Sequence, residues 1–384
     1  MTQPILVAQG QSLKQVDIYL PEPVFSHKCY LPPNFDLVSA INALLEAQKP
    51  NIIQAVSNLT TREGQHGHLS AFVVDMFCTT MIDVANEFNV PTLVFYTFSV
   101  ASLGLNLYLH TLRERDNIDL TQLLQEKEAA IPSFANPIPS NPLPSFVRNK
   151  EREPFFMSLA RGLKKIYPVG PLLNPEPKTK GTVDADSDDI MKWLHNQPPS
   201  SVVFLCFGSR GYFDEDQVKE IAHVVENSGA RFVWSLRKPL VKGTMAAPSD
   251  YSLYDLGPVL PEGFLDRTAE IGRIIRWAQQ AQILAHPAIG GFVSHYGWNS
   301  TLESIYFDRC VEIALDYRME FSGESNYLVS ADKIERVIRS VLYKDGEVKK
   351  KVKKMSEKSR KTLLEGGSSY TYLAVPTSDN VPFF

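Results

Sequence analysis

The chain has 384 residues, of which 44% are hydrophobic, and its formal net charge is −4. This length is enough for two domains with their own cores, and the slightly acidic balance excludes the basic stripe that a nucleic-acid partner needs. The four cysteines are scattered without a CxxC pair, and no stretch approaches the roughly 18 apolar residues of a membrane span. We therefore expect a cytoplasmic protein, a monomer, with neither nucleic acid nor membrane as a partner.

Short apolar segments alternate with amphipathic segments along the first half of the chain. Ala71–Asp75 predicts a buried strand, and the segment from Thr79 to Phe88 predicts a helix. Thr92–Tyr96 predicts the next strand, and Ala101–Arg113 the next helix. The Pro- and Asn-rich stretch 131–144 interrupts this pattern and predicts an excursion over the surface.

A second stretch rich in Pro, Lys and Asp divides the chain. It runs over 168–189 and predicts an interdomain linker. The sequence therefore predicts one domain over 1–167 and another over 190–384.

The alternation is clearer beyond this linker. Strands are predicted over Ser201–Phe207, Arg231–Leu236, Gly272–Arg276 and Gly291–Ser294. Helices are predicted over Asp214–Ser228, Gln279–Ala285 and Trp298–Phe307. Repetition of this kind predicts parallel sheets covered by helices, the α/β class.

Three of these strands end in residues that can bind a ligand. The ends are Phe207-Gly208-Ser209, Trp277-Ala278 and the run from His295 to Ser300. Ligands bind at the carboxyl ends of the strands in open parallel sheets. Because all three ends belong to one edge, we predict a binding site there.

The last of these ends is suited to a phosphate. Gly297 permits a tight turn, and Asn299 or Ser300 can cap the helix that follows. The N-terminus of that helix offers unpaired N–H groups and a partial positive charge, and His295 can donate a further hydrogen bond. Glu303 lies one turn beyond Asn299, where its carboxylate can accept from the hydroxyls of a ribose.

The base of a nucleotide can stack on Trp277. Each residue taken alone has an ordinary structural explanation, since a Trp or His at a strand end commonly belongs to the core and an Asn or Ser before a helix is commonly only a cap. Their arrangement on one edge favours the ligand site.

The stretch from Trp277 to Ser304 contains WAQQ and HPAIGGFVSHYGWNSTLES. It resembles the signature box of plant UDP-dependent glycosyltransferases of family 1, and similar segments occur along most of the chain. The resemblance implies the GT-B fold, in which two Rossmann-like domains with parallel sheets face each other across a cleft. The acceptor side would be 1–167 and the UDP-sugar side 190–384, both with segments missing.

The resemblance also implies which residues hold the donor. The base and ribose would be bound by Trp277, the backbone of Ala278, Gln280 and Glu303. The diphosphate would be contacted by Ser209, His295, Asn299 and Ser300, with Trp298 near the sugar.

In the first domain, Asp75 matches the family's catalytic aspartate and Thr97 a residue near the sugar. The implied reaction is an inverting transfer of a sugar, glucose by resemblance, from UDP to a phenolic or flavonoid-type small molecule. It requires no metal and no cofactor.

The sequence departs from the family pattern in whole blocks. The family's general base is a histidine after its first strand, and no His follows the apolar run near the N-terminus, so Asp75 would have nothing to orient. After Phe307 the acidic-Gln pair that grips the sugar is absent, and a strand with it. Lys164–Tyr167 skips the elements that close the first domain, and the tail after Tyr370 does not continue a terminal helix.

Two alternatives follow from these observations. The chain can be a catalytically inactive UDP-binding relic or a truncated isoform, because the base and the sugar-gripping pair are missing. A metal-dependent glycosyltransferase would use an Asp-x-Asp motif, which Asp184-Ala-Asp186 matches, but that tripeptide lies in the predicted linker rather than at a strand end. A nicotinamide dehydrogenase is disfavoured because no GxGxxG follows a strand.

Overall fold

The structure, a computed structural model, describes residues 2–9, 12–19, 37–60, 69, 71–140, 143–144, 147, 166–173, 185–209, 211–239, 248–276, 279–295, 297–309, 329–343 and 347–374. They form two units, of which the first has its last described residue at Tyr167 and the second its first at Pro168. No described helix is both long enough and apolar enough to cross a membrane.

The first unit contains short strands and three helices in its described part. The strands are β1 Thr2–Gln9, β2 Ser12–Tyr19, β3 Phe72–Asp75, β4 Thr92–Phe95, β5 Glu128–Ala129 and β6 Ile138–Pro139. The helices are α1 Leu37–Thr60, α2 Met81–Glu87 and α3 Val100–Glu114, with 3₁₀ turns at Met76–Cys78 and Leu120–Leu124.

β3 and β4 pair in parallel, with Asp75 opposite Phe95 at their carboxyl ends. β1 and β2 instead form an antiparallel hairpin. Only two residues separate these strands, and a parallel pair needs a connection of a dozen residues or more. The beginning of the chain therefore departs from the parallel arrangement that the resemblance implies.

The prediction of a surface excursion over 131–144 is wrong for its apolar residues. Ile131 and Leu143 are buried, and they pack in one cluster with Leu105, Leu109 and Leu112 of α3. The Pro and Asn residues break regular structure, but the apolar side chains between them bury surface against the helix.

The second unit contains six strands in its described part: β7 Val202–Cys206, β8 Arg231–Ser235, β9 Arg237–Lys238, β10 Ser249–Asp250, β11 Gly272–Ile275 and β12 Ile289–Val293. Its helices are α4 Ala185–His195, α5 Glu215–Ser228, α6 Leu253–Val259, α7 Phe264–Arg267, α8 Gln280–Ala285, α9 Trp298–Tyr306, α10 Ala331–Tyr343, α11 Glu347–Leu363 and α12 Ser368–Ala374.

Four of these strands form one parallel sheet in the order β11-β8-β7-β12. Successive residues of β7 point to opposite faces, and both faces are buried. Val203 and Leu205 pack with residues of α5 and α10, whereas Val202 and Phe204 pack with residues of α4 and α8. The continuous apolar run of β7 is typical of such a doubly covered strand.

The described parts of the predicted linker are tied to the second unit, although only its end is helical. At its start, the Gly170 carbonyl accepts hydrogen bonds from Thr362 Oγ1 at 2.9 Å and from Ser369 Oγ at 2.6 Å. At its end, α4 begins at Ala185, and its Leu194 is fully buried against the sheet. The predicted boundary at 189 therefore lies inside a helix, because apolar residues of α4 have a core to pack against.

Shortening a buried side chain in the core of the second unit should destabilise the fold. Phe204 is fully buried and stacks on Phe292 with ring centroids 5.4 Å apart. We expect Phe204→Ala to lower the free energy of unfolding by about 3–5 kcal/mol, measured by urea denaturation. Tyr254→Ala, at a side chain that is 94% exposed, should change it little; equal effects of the two substitutions would contradict this assignment of the core.

Candidate functional site

The prediction that these three strands end at the same edge of one parallel sheet is confirmed. β7, β11 and β12 run parallel in one sheet, so the segments that follow them leave from the same side. Ser209 lies exposed in the loop after β7, and His295 follows β12. Trp277 and Ala278, which follow β11, lie outside the described residues.

The turn into α9 differs in detail from the prediction. Gly297 is the N-cap residue, and its φ of −55° is one that any residue adopts, so the tight-turn explanation is wrong. Asn299 and Ser300 are not caps, because the helix already begins at Trp298 and the first helical hydrogen bond runs from Thr301 N to Gly297 O at 2.9 Å. They lie in the first turn of the helix.

The first turn of α9 can bind an anion. Its backbone N–H groups have no acceptor within the helix, which is general for helix N-termini, and they lie at the positive end of the helix dipole. Asn299 is exposed at this end, Trp298 is half-buried and Ser300 is buried. The geometry supports a phosphate at this position.

The His295 ring lies between two glycines. A Cβ at Gly208 or at Gly297 would overlap the imidazole, and Gly208 also has a φ of +80° that favours glycine. Burial lowers the pKa of the His295 imidazole, although the residue as a whole is exposed. The lowered pKa favours the neutral form of the ring, and its Nδ1 lies 3.3 Å from Ser294 Oγ.

Gln280 joins the start of α8 to α9. Its Nε2 donates to Glu303 Oε2 at 2.7 Å and to Ser300 Oγ at 3.1 Å. Burial raises the pKa of Glu303, and the hydrogen bond from Gln280 opposes that rise. The amide thus holds a half-buried carboxylate in place, with one oxygen left to accept from a ligand hydroxyl.

In the first unit, the two predicted residues lie close to each other at the ends of β3 and β4. Asp75 Oδ1 accepts from the backbone N of Phe77 at 2.9 Å and so caps the 3₁₀ turn. Thr97 Oγ1 donates to the sulfur of Met76 at 3.7 Å. Burial, with the charge of Asp75 adding to it, raises the pKa of the Cys78 thiol.

The sequence did not predict two contacts in the second unit, that of Gly208 with His295 and that of Gln280 with Glu303. Nothing in the spacing of Gly208 and His295 indicates that one packs against the other, and the Gln280–Glu303 hydrogen bond spans 23 residues. The signal that was available was indirect: both partners of each pair follow strands that end at the same edge.

The family of the chain follows from comparison with known proteins. Residues 181–309 match the family model described as UDP-glucoronosyl and UDP-glucosyl transferase. UDP-glucose flavonoid 3-O-glucosyltransferase 6 of Fragaria ananassa is 42% identical over 86% of this chain and 79% of its own length. Anthocyanidin 3-O-glucosyltransferase 1 of Manihot esculenta is 41% identical over 90% of this chain and 86% of its own length.

Solved structures agree with this relationship. A transferase from Siraitia grosvenorii in complex with UDP matches with a TM-score of 0.76 and 39% identity, covering 90% of this chain and 88% of that one. Medicago truncatula UGT71G1 complexed with UDP-glucose matches with a TM-score of 0.74 and 30% identity, covering 92% and 84%. The chain belongs to the plant UDP-dependent glycosyltransferases of family 1 and has their GT-B-type α/β fold.

The packing of Gly208 against His295 can be tested by titration. We expect Gly208→Ala to push the ring into solvent and to raise the pKa of His295 toward its ordinary value, followed by NMR of the imidazole. Gly366→Ala is the matched control, because Gly366 has a φ of +78° but no described atom within 4 Å of an added Cβ. An unchanged His295 pKa in Gly208→Ala would show that the two residues do not depend on each other.

Proposed function

We propose that this chain transfers glucose from UDP-glucose to a hydroxyl group of a flavonoid-type phenol, with inversion at the anomeric carbon. The observation that supports the proposal is the hydrogen-bonded set of Gln280, Ser300 and Glu303, in which a carboxylate lies near the N-terminus of α9, a helix end that can bind an anion. The names of the relatives supply the sugar and the class of acceptor.

Each part of the donor has a matching group in this proposal. Glu303 and Gln280 bind the ribose, and the N–H groups at Trp298–Ser300 bind the diphosphate together with His295 and Ser209. A neutral His295 donates one hydrogen bond to a phosphate oxygen. Two further roles rest on the resemblance: Trp277 and Ala278 bind the uracil, and Trp298 lies near the sugar.

The reaction forms a bond between the acceptor oxygen and the anomeric carbon while the bond from that carbon to the UDP oxygen breaks. The acceptor's proton must be removed, and UDP leaves with the bonding electrons. A phenol has a pKa near that of tyrosine, about 10, so it needs less assistance than an aliphatic alcohol. By the resemblance, Asp75 matches the family's catalytic aspartate, which orients the general base, and Thr97 lies near the sugar.

The rival function is UDP binding without turnover. It is favoured by the sequence, in which no histidine follows the first apolar run and no acidic-Gln pair follows Phe307. Asp75 also has a structural role as the cap of the 3₁₀ turn, so its presence does not require catalysis. The proposal of a glycosyltransferase also assigns the acceptor to 1–167 and the donor to 190–384. It includes a cytoplasmic location and a monomeric state.

The two functions differ in whether the chain forms a glucosylated product from UDP-glucose and an acceptor. We expect formation of a flavonoid glucoside from UDP-glucose and a flavonol, detected by mass spectrometry, and a fall in kcat of about 10²-fold or more in Asp75→Asn. Asn retains the cap, because its side-chain oxygen can still accept from Phe77 N, so a stability change should not confuse the result. UDP binding without any product would support the inactive relic, and an unchanged kcat in Asp75→Asn would remove Asp75 from the mechanism.

The ribose contact predicts a pH dependence. Ionised Glu303 accepts from the ribose, and burial raises its pKa, so calorimetric UDP affinity should fall as the pH drops toward this raised pKa. Glu303→Gln should bind UDP roughly tenfold or more weakly, as expected for one charge-assisted hydrogen bond. It should also lose this part of the pH dependence while keeping the part due to the phosphates of UDP. Identical pH profiles for both proteins would exclude Glu303 from the ribose contact.

A further inference from the structure

The C-terminal end of α9 is held by three hydrogen bonds to one carbonyl oxygen. The carbonyl of Tyr306 accepts from Ser356 Oγ at 2.9 Å, from Arg360 Nε at 3.1 Å and from Arg360 Nη2 at 2.9 Å. The Arg360 guanidinium also lies over the Tyr306 ring, 5.3 Å from its centroid. Both donors belong to α11, so these hydrogen bonds tie α11 to the C-terminal end of α9.

This contact matches the electrostatics of a helix terminus. The last carbonyls of a helix lack partners within it and carry a partial negative charge, which a cation stabilises. Ser356 is buried, with 3% of its surface exposed, whereas Arg360 lies at the surface. The serine therefore fixes the contact in the interior, and the arginine adds the charge.

The anchored helix is the one that faces the diphosphate in the proposed function. α9 has 9 residues, so its ends are about 13 Å apart at 1.5 Å per residue. A rigid element this short cannot shift at its C-terminal end without moving its first turn. The N–H groups of Trp298–Ser300 are then held in place from Tyr306.

We propose that Ser356 and Arg360 are positioning residues for the donor: through Tyr306 they fix α9 so that its N-terminus meets the diphosphate. Neither touches the donor. The inference rests on the proposed donor site, and it adds to that site a residue pair from α11 that lies 50 and 54 residues beyond Tyr306 along the chain.

The test compares two probes, UDP and uridine, by calorimetric titration of the full chain. Arg360→Met should raise the Kd of UDP by roughly threefold to tenfold, the size of effect expected for losing a cation at a helix C-terminus together with its hydrogen bonds. The Kd of uridine, which lacks the phosphates and keeps only the Glu303 contact with α9, should rise less than that of UDP. A general loss of stability would weaken both ligands alike.

Lys361→Met is the matched control, because it removes one positive charge from the neighbouring exposed position of α11 without touching Tyr306. It should leave the UDP affinity unchanged, and Arg360→Lys should recover part of the affinity lost in Arg360→Met. Ser356→Ala gives a second measurement of the same anchor and should also weaken UDP selectively.

Equal UDP affinity in Arg360→Met, Ser356→Ala and the unmodified chain would overturn this inference alone. So would a loss in Lys361→Met as large as in Arg360→Met, since the effect would then be one of overall charge. Failure of the unmodified chain to bind UDP at all would instead overturn the proposed donor site.

Discussion

The second unit depends on the parallel pairing of β11, β8, β7 and β12. Alternate residues of these strands enter two separate cores, so a shift of one residue would exchange the two sets of side chains and fill neither core properly. Because the register is fixed in this way, the carboxyl ends of the strands are fixed too. Ser209, His295 and the start of α9 are therefore brought to one edge by core packing, with no direct bond between them required.

Burial acts on Glu303 and His295 at this edge in the same sense, favouring the neutral form of each. It raises the pKa of Glu303 and lowers that of His295. Gln280 opposes the effect at Glu303 by donating to the carboxylate, whereas the glycines beside His295 supply space and no charge. The edge therefore combines an anchored carboxylate with a neutral donor, which suits a ligand that presents hydroxyls at one point and phosphate oxygens at another.

The sequence predicts this edge well because the pattern of apolar strands and amphipathic helices reflects burial directly. It predicts poorly what depends on contacts between distant segments. Gly297 is explained by the space it leaves beside His295 rather than by its φ, and Ile131 is buried by α3 despite its Pro-rich surroundings. Helix α1 contains Pro50, which removes a helical hydrogen bond and weakens the helix signal in its sequence.

The same limitation applies to the basic helix α11. Its sequence is dominated by lysines, and charge alone gives no reason to single out Arg360 from its neighbours. What separates Arg360 is its position: with Ser356 it reaches the carbonyl of Tyr306 at the C-terminal end of α9. A helix whose N-terminus must stay open for a ligand can be fixed through its sides and its C-terminus. In this unit, the hydrogen bonds of Gln280 restrain the side of α9. The hydrogen bonds of Ser356 and Arg360 to the Tyr306 carbonyl restrain its C-terminal end.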